Sequence, residues 1–135
     1  MRIEINYIVV LVAAVVNYVI GVIWYSPALF GPRWMKAIGK SEQDCKRTNM
    51  GVALTGAFVS AVMMAYVLAL FIGFVQAKTV LAGAGIGLWA WVGFVAAPNL
   101  CSYLFAGWPR DLYLINNGYH LISLLIMGAM LAIWS

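Results

Sequence analysis

The chain carries a single histidine, His120, inside the stretch LINNGYHLIS from Leu114 to Ser123. An imidazole can relay a proton, ligate a metal or hold a solute, and it can equally serve as a hydrogen-bonding post between helices. At 100° per residue, Asn116, His120 and Ser123 fall within about 60° of one another on a helix. An amide, an imidazole and a hydroxyl therefore share one stripe. Three further polar residues, Asn17, Thr55 and Asn99, each fall in a different apolar run. Counted inward from the ends of those runs, Asn17, Thr55, Asn99 and His120 lie roughly 9–14 Å below the same interface. One polar group per run at a shared depth predicts a cross-helix layer made of Asn17, Thr55, Asn99, Asn116, His120 and Ser123. In its structural use, a neutral His120 ties the last run to Asn99 or Asn17. In its functional use, His120 lines a water-accessible cavity and relays protons or binds a solute.

Other chemistry finds little support in the residues. The apolar runs contain no carboxylate, so the usual partner of a proton-coupling histidine is missing. Neither a Ser-His-acid set nor an H-E-x-x-H motif occurs, and Glu42, Asp44 and Asp111 sit without a motif around them. The expectation is a protein that is not an enzyme and uses no cofactor. Cys45, Cys101 and His120 share no ligand spacing, so no metal site is expected. Two cysteines are also too few for a disulfide scaffold.

The elements that would position the polar layer follow from composition. Apolar residues make up 65% of the 135 residues and charged residues only 9%, against about a half and a quarter in an ordinary soluble domain. Seven of the twelve charges lie between Arg33 and Arg47. Most of the remainder is charge-free and long enough to cross a hydrocarbon core, which needs about 20 residues. Four spans are predicted, over residues 5–24, 50–74, 79–105 and 112–134, in an all-α polytopic membrane protein of one domain. No cleaved signal sequence is expected, since Glu4 interrupts the n-region and no A-x-A site follows.

Lysine and arginine set the orientation. The loops after spans one and three carry Arg33, Lys36, Lys40, Lys46, Arg47 and Arg110, against Arg2 and Lys78 on the other side. Six against two predicts a cytoplasmic loop 25–49 with both termini outside. The net charge of +4 is thus read as lipid contact, and nucleic acid is not an expected partner. Pro27 and Pro32 end the first span, and a short interfacial helix follows. Trp24, Tyr25, Arg33, Trp34 and Lys36 are its anchors.

Small residues recur every fourth position in span two, at Ala53, Ala57, Ala61, Ala65, Ala69 and Gly73, and in span three at Gly83 and Gly87. Within lipid such residues let helix backbones approach closely, so Ala57 through Gly73 and both glycines are read as packing positions. They serve one chain or several, and a homo-oligomer or a membrane partner is expected. At an offset of 67, Asn49, Gly51, Leu54, Met63 and Ala65 match Asn116, Gly118, Leu121, Met130 and Ala132. Two duplicated hairpins, spans 1–2 and 3–4, would produce that pattern, and so would chance in so apolar a chain.

The stretches WYSPALFGPRW, Trp24 to Trp34, and LINNGYHLIS resemble the signature regions of small prokaryotic membrane proteins grouped as domain of unknown function 1761. The resemblance covers nearly the whole chain. It implies four spans in the plasma membrane of a bacterium or archaeon, and it implies no activity. Two functional expectations stand. One is an oligomeric bundle that binds or passes a small solute or ion at the polar layer. The other is a non-catalytic scaffold or accessory subunit that docks other membrane helices.

Overall fold

A computed structural model describes residues 5–26, 28–39 and 50–134, with Met50 known in its backbone only. Lys40, Cys45, Lys46, Arg47 and Arg2, which entered the charge and metal readings, lie outside the described residues. Every described element is helical: α1 (Tyr7–Trp24), α2 (Gly31–Ile38), α3 (Met50–Val75), α4 (Val80–Ala106) and α5 (Arg110–Trp134). All but α2 are long and apolar enough to cross a membrane. The protein is a polytopic helical membrane protein, and each span falls within a few residues of its expected position.

Local chemistry explains the boundaries. The Asn6 side chain accepts from the N–H groups of Ile8 and Val9 at 3.1 and 3.4 Å, which supplies partners for donors that open α1. Pro32 stands in the first turn of α2, where its missing N–H costs nothing. That helix stops at Gly39, whose φ of 72° suits a residue without a Cβ. Thr79 caps α4 by accepting from the Ala82 N–H at 3.1 Å. Gly107, with a φ of 68°, ends α4 three residues before α5 begins. Such short connections force α3 with α4, and α4 with α5, to run antiparallel.

One end of the bundle carries Arg33, Lys36 and Arg110; it is called the basic end below. The opposite end carries the 76–79 connection.

Helix α5 is the hub. It packs along α4 most extensively, then against α1 and α3, and α2 lies across its first turns. The buried core is built from Val10, Ala13 and Ala14 of α1, from Ala61, Ala65, Leu68, Ala69 and Ile72 of α3, and from Leu124, Met127, Leu131 and Ala132 of α5. Alanines dominate because helices in lipid gain by close approach, since burying a larger apolar chain offers no advantage over acyl tails.

The third span sends only the partly buried Ile86, Trp91 and Val95 against that core. Its only buried positions are Gly83 and Gly87. A methyl group built on Gly83 would overlap the Gly128 carbonyl and reach within 2.6 Å of the Ala132 Cβ. One built on Gly87 would overlap the Leu124 carbonyl. The two backbones thus touch directly, and Gly128 completes the contact from α5.

The alanine ladder of α3 is only half used. Ala61, Ala65 and Ala69 are buried and Gly73 is half-buried, whereas Ala53 and Ala57 are exposed. Ala57 therefore does not pack within the chain as expected. Ala57 instead lines a cleft with Tyr18, Gly21 and Tyr119.

Candidate functional site

The polar residues gather at the basic end in two tiers, and α5 supplies the centre of both. In the upper tier, adjacent asparagines serve opposite neighbours. Asn116 accepts from the Tyr25 hydroxyl at 2.6 Å, toward α1. Asn117 accepts from Asn99 Nδ2 at 2.9 Å, toward α4, and donates to the Tyr113 carbonyl at 2.8 Å. Two indoles donate to carbonyls of the same turn, Trp24 to Ile115 at 3.0 Å and Trp91 to Asn117 at 2.8 Å. Gly118 leaves space for the Trp24 ring, which would lie 3.2 Å from an added Cβ.

Proline places the α4 side of this tier. Pro98 has no N–H, and the residues before it, Val92–Ala96, widen into a π-helical turn closed by the Ala97 N–H on the Val92 carbonyl. From α5, the Tyr113 hydroxyl donates to the Ala96 carbonyl at 3.1 Å and ties the two helices beside that turn.

The lower tier lies about one helical turn deeper. The Tyr119 hydroxyl shares its proton between Asn17 Oδ1 at 2.5 Å and the Asn17 carbonyl at 3.0 Å. Gly21, one turn along α1, makes room, since a Cβ there would sit 3.0 Å from that hydroxyl. Asn17 Nδ2 faces the Met64 sulfur of α3 at 4.0 Å. The His120 ring lies 4.9 Å from the Tyr119 ring. Among the described residues, His120 Nδ1 and Ser123 Oγ are buried side-chain atoms with no hydrogen-bond partner.

Aromatic contacts extend the upper tier to the interface. Tyr25 meets Trp34 of α2 edge-on at 5.6 Å and Tyr119 at 5.7 Å. Burial, and secondarily the neighbouring Tyr119, raise the Tyr25 phenol well above its ordinary pKa, so it remains a donor to Asn116 in neutral and moderately alkaline solution. Arg33 and Lys36 are exposed on α2, beside the half-buried Trp34. Among the described residues, no group of three metal-ligating side chains occurs. No Asp, Glu, Lys or Arg stands within α1, α3 or α4, or in α5 beyond Asp111.

The chain matches, over residues 8–132, the model of a family described as a protein of unknown function (DUF1761). It belongs to that family. No curated protein and no solved structure matches it. What this DUF1761 chain does must therefore be read from its own geometry.

That geometry departs from the single layer expected of the sequence. Thr55 is exposed and does not join Asn17, Asn99 or His120. Tyr18 pairs with Phe58 at 6.1 Å, which places Thr55 nearer the basic end than Asn17. From α3, the Met64 thioether faces the buried Asn17 amide. His120 does not tie α5 to Asn17 or Asn99, because Tyr119 and Asn117 already hold those amides. Tyrosine and a second asparagine occupy the bridging roles given to histidine.

Asn117, Tyr113, Tyr119 and Trp91 of the DUF1761 chain were not singled out in the sequence. One signal was legible: Asn116 and Asn117 lie 100° apart, so two neighbouring helices can each be offered an amide from one turn. Tyrosine and tryptophan were read as interface markers, which hides a phenol or indole that donates inward.

Proposed function

We propose that this membrane bundle binds a small, uncharged, hydrogen-bonding solute at His120 and Ser123. The observation that carries the reading is the contrast within one polar cluster. Asn17, Asn99, Asn116 and Asn117 bond to protein groups, while the imidazole nitrogen and the hydroxyl beside them are buried with no partner. Each unsatisfied polar atom in a dry interior costs about 1–3 kcal/mol, and more in hydrocarbon. A ligand that offers one donor and one acceptor removes that cost at both atoms. His120 and Ser123 are three positions apart on α5, so their side chains are neighbours on its surface. The absence of formal charge from the spans disfavours an ion, whose desolvation nothing there would offset. In this reading the basic end faces the cytoplasm, following the excess of lysine and arginine there.

Because His120 is the only histidine, its ring resonances identify the site without further assignment. Titrating the ¹⁵N-labelled protein in lipid with small amides, alcohols and ureas is expected to shift those resonances for the solutes that bind. Ser123→Ala removes one of two neutral hydrogen bonds and should weaken binding about tenfold. Solutes that bind can then be tested for passage in proteoliposomes, with His120→Ala as the control. A ring signal indifferent to every solute in the panel would remove the proposal.

A second reading, self-association as a scaffold, has its own support. Ala53, Gly56, Ala57 and Ser60 are all exposed on one face of α3, and a Cβ on Gly56 would meet nothing within 4 Å. Small residues at this spacing form close helix contacts between chains. Light scattering in mild detergent is expected to give a dimeric mass that Gly56→Leu converts to a monomeric one. An unchanged mass in that variant counts against this face as the interface.

A further inference from the structure

The two hairpins close by different devices, and the difference leaves a groove. Glycines draw α4 onto α5, while alanines place α3 with α1. Helices α3 and α4 are consecutive and joined by four residues, yet they share little contact. Between them run two clefts of about 430 and 390 Å³ that have Phe71, Ala90 and Phe94 in common. They form one lateral groove, walled by α3 and α4 and floored at its deep end by Leu124 of α5. Every lining residue is apolar. Its rim side chains Phe94 and Trp89 are 72% and 76% exposed, so the groove opens sideways, toward the bilayer.

Its length is informative. Along α3 the lining extends from Met63 to Val75, about 18 Å at 1.5 Å per residue. Met63 lies midway along the span, so the groove covers one leaflet, whose hydrocarbon is about 15 Å deep. At the interfacial end, the connection that joins its two walls carries Lys78, which is exposed. Methionines on the wall adapt to an irregular occupant at small cost.

We propose that this groove holds one acyl chain of a phospholipid from the leaflet at the 76–79 end, with Lys78 pairing with the lipid phosphate. The geometry matches the occupant at both ends: hydrocarbon of one leaflet's length inside, and a cation where the headgroup lies. An amphipathic helix from a second copy would fill the walls but leave Lys78 without a counterpart. The site is separate from His120 and Ser123, so either proposal can fail alone.

The full chain, extracted in mild detergent and stripped of lipid, is titrated with phosphatidylglycerol and followed by native mass spectrometry. One lipid per protomer is expected to bind ahead of the rest and to survive further washing. Ala90→Phe, which fills the floor shared by both clefts, should abolish that first binding step. Leu100→Phe, an exposed position outside the groove, should leave it intact and shows that an added ring does not itself unfold the bundle. Lys78→Glu should weaken the step about tenfold. Equal uptake by the native chain and by both groove variants overturns the proposal. A disulfide between copies carrying Val67→Cys, with Cys45 and Cys101 replaced by serine, also overturns it when formed in membranes, because it places a second protomer on the groove.

Discussion

Gly87→Ala is expected to destabilise the bundle by about 3 kcal/mol, at the upper end of overpacking costs, because the added methyl meets backbone. The receiving atom is the Leu124 carbonyl, and a helix carbonyl cannot turn aside as the end of a side chain can. Gly83→Ala, which overlaps the Gly128 carbonyl and the Ala132 methyl, should cost a similar amount. Gly85 supplies the control: it lies between them on α4, and its Cβ would meet nothing within 4 Å. Alanine gains up to about 1 kcal/mol of helix propensity over glycine at all three positions, so the difference between them isolates packing. Equilibrium unfolding in bicelles with added SDS measures it. Equal stability of Gly85→Ala and Gly87→Ala would remove the glycine contact as the device that fixes α4.

The second large effect concerns Asn117. Asn117→Ala withdraws the acceptor from Asn99 and the donor from the Tyr113 carbonyl, in a position only 2% exposed. Hydrogen bonds between membrane helices average about 0.6 kcal/mol and reach about 1.7. A buried amide that joins two helices belongs near the top of that range, so a loss of about 1–2 kcal/mol is expected. Asn116→Ala should cost less than half as much, since Tyr25 lies at the end of α1 and water can replace its acceptor. Asn99→Ala combined with Asn117→Ala should cost little more than Asn117→Ala alone, which is the mark of a direct pair. Equal losses for Asn116→Ala and Asn117→Ala would show that the asymmetry between the two asparagines has no energetic meaning.

The two predictions concern different parts of one α4–α5 seam. Toward the 76–79 end it is closed by backbone contact at Gly83, Gly87 and Gly128, and toward the basic end by Asn99, Asn117, Trp91 and Tyr113. On α4 the π-turn at Val92–Ala96 lies between the glycines and Asn99. Neither section relies on large apolar side chains, as expected where the surrounding solvent is itself hydrocarbon. The same economy leaves α3 and α4 apart, and the lateral groove follows from it.

The sequence alone determined the four spans, the short helix after the first, and the inward turn of the Asn17 and Ser123 side chains. These follow from local quantities: the length of apolar runs, the positions of proline and glycine, and the cost of an amide or hydroxyl in lipid. Pairing is not local. Whether His120 or Tyr119 reaches Asn17 depends on the rotation and height of α5 against α1, which Gly21 and Gly118 fix by admitting the Tyr119 and Trp24 rings. Thr55 fell outside the cluster because it stands on a part of α3 that is exposed on all sides, from Gly51 to Ala57. Only the tertiary structure decided which polar atoms of the described residues satisfy one another and that His120 Nδ1 and Ser123 Oγ do not, because that depends on helix rotations of tens of degrees that apolar periodicity does not encode.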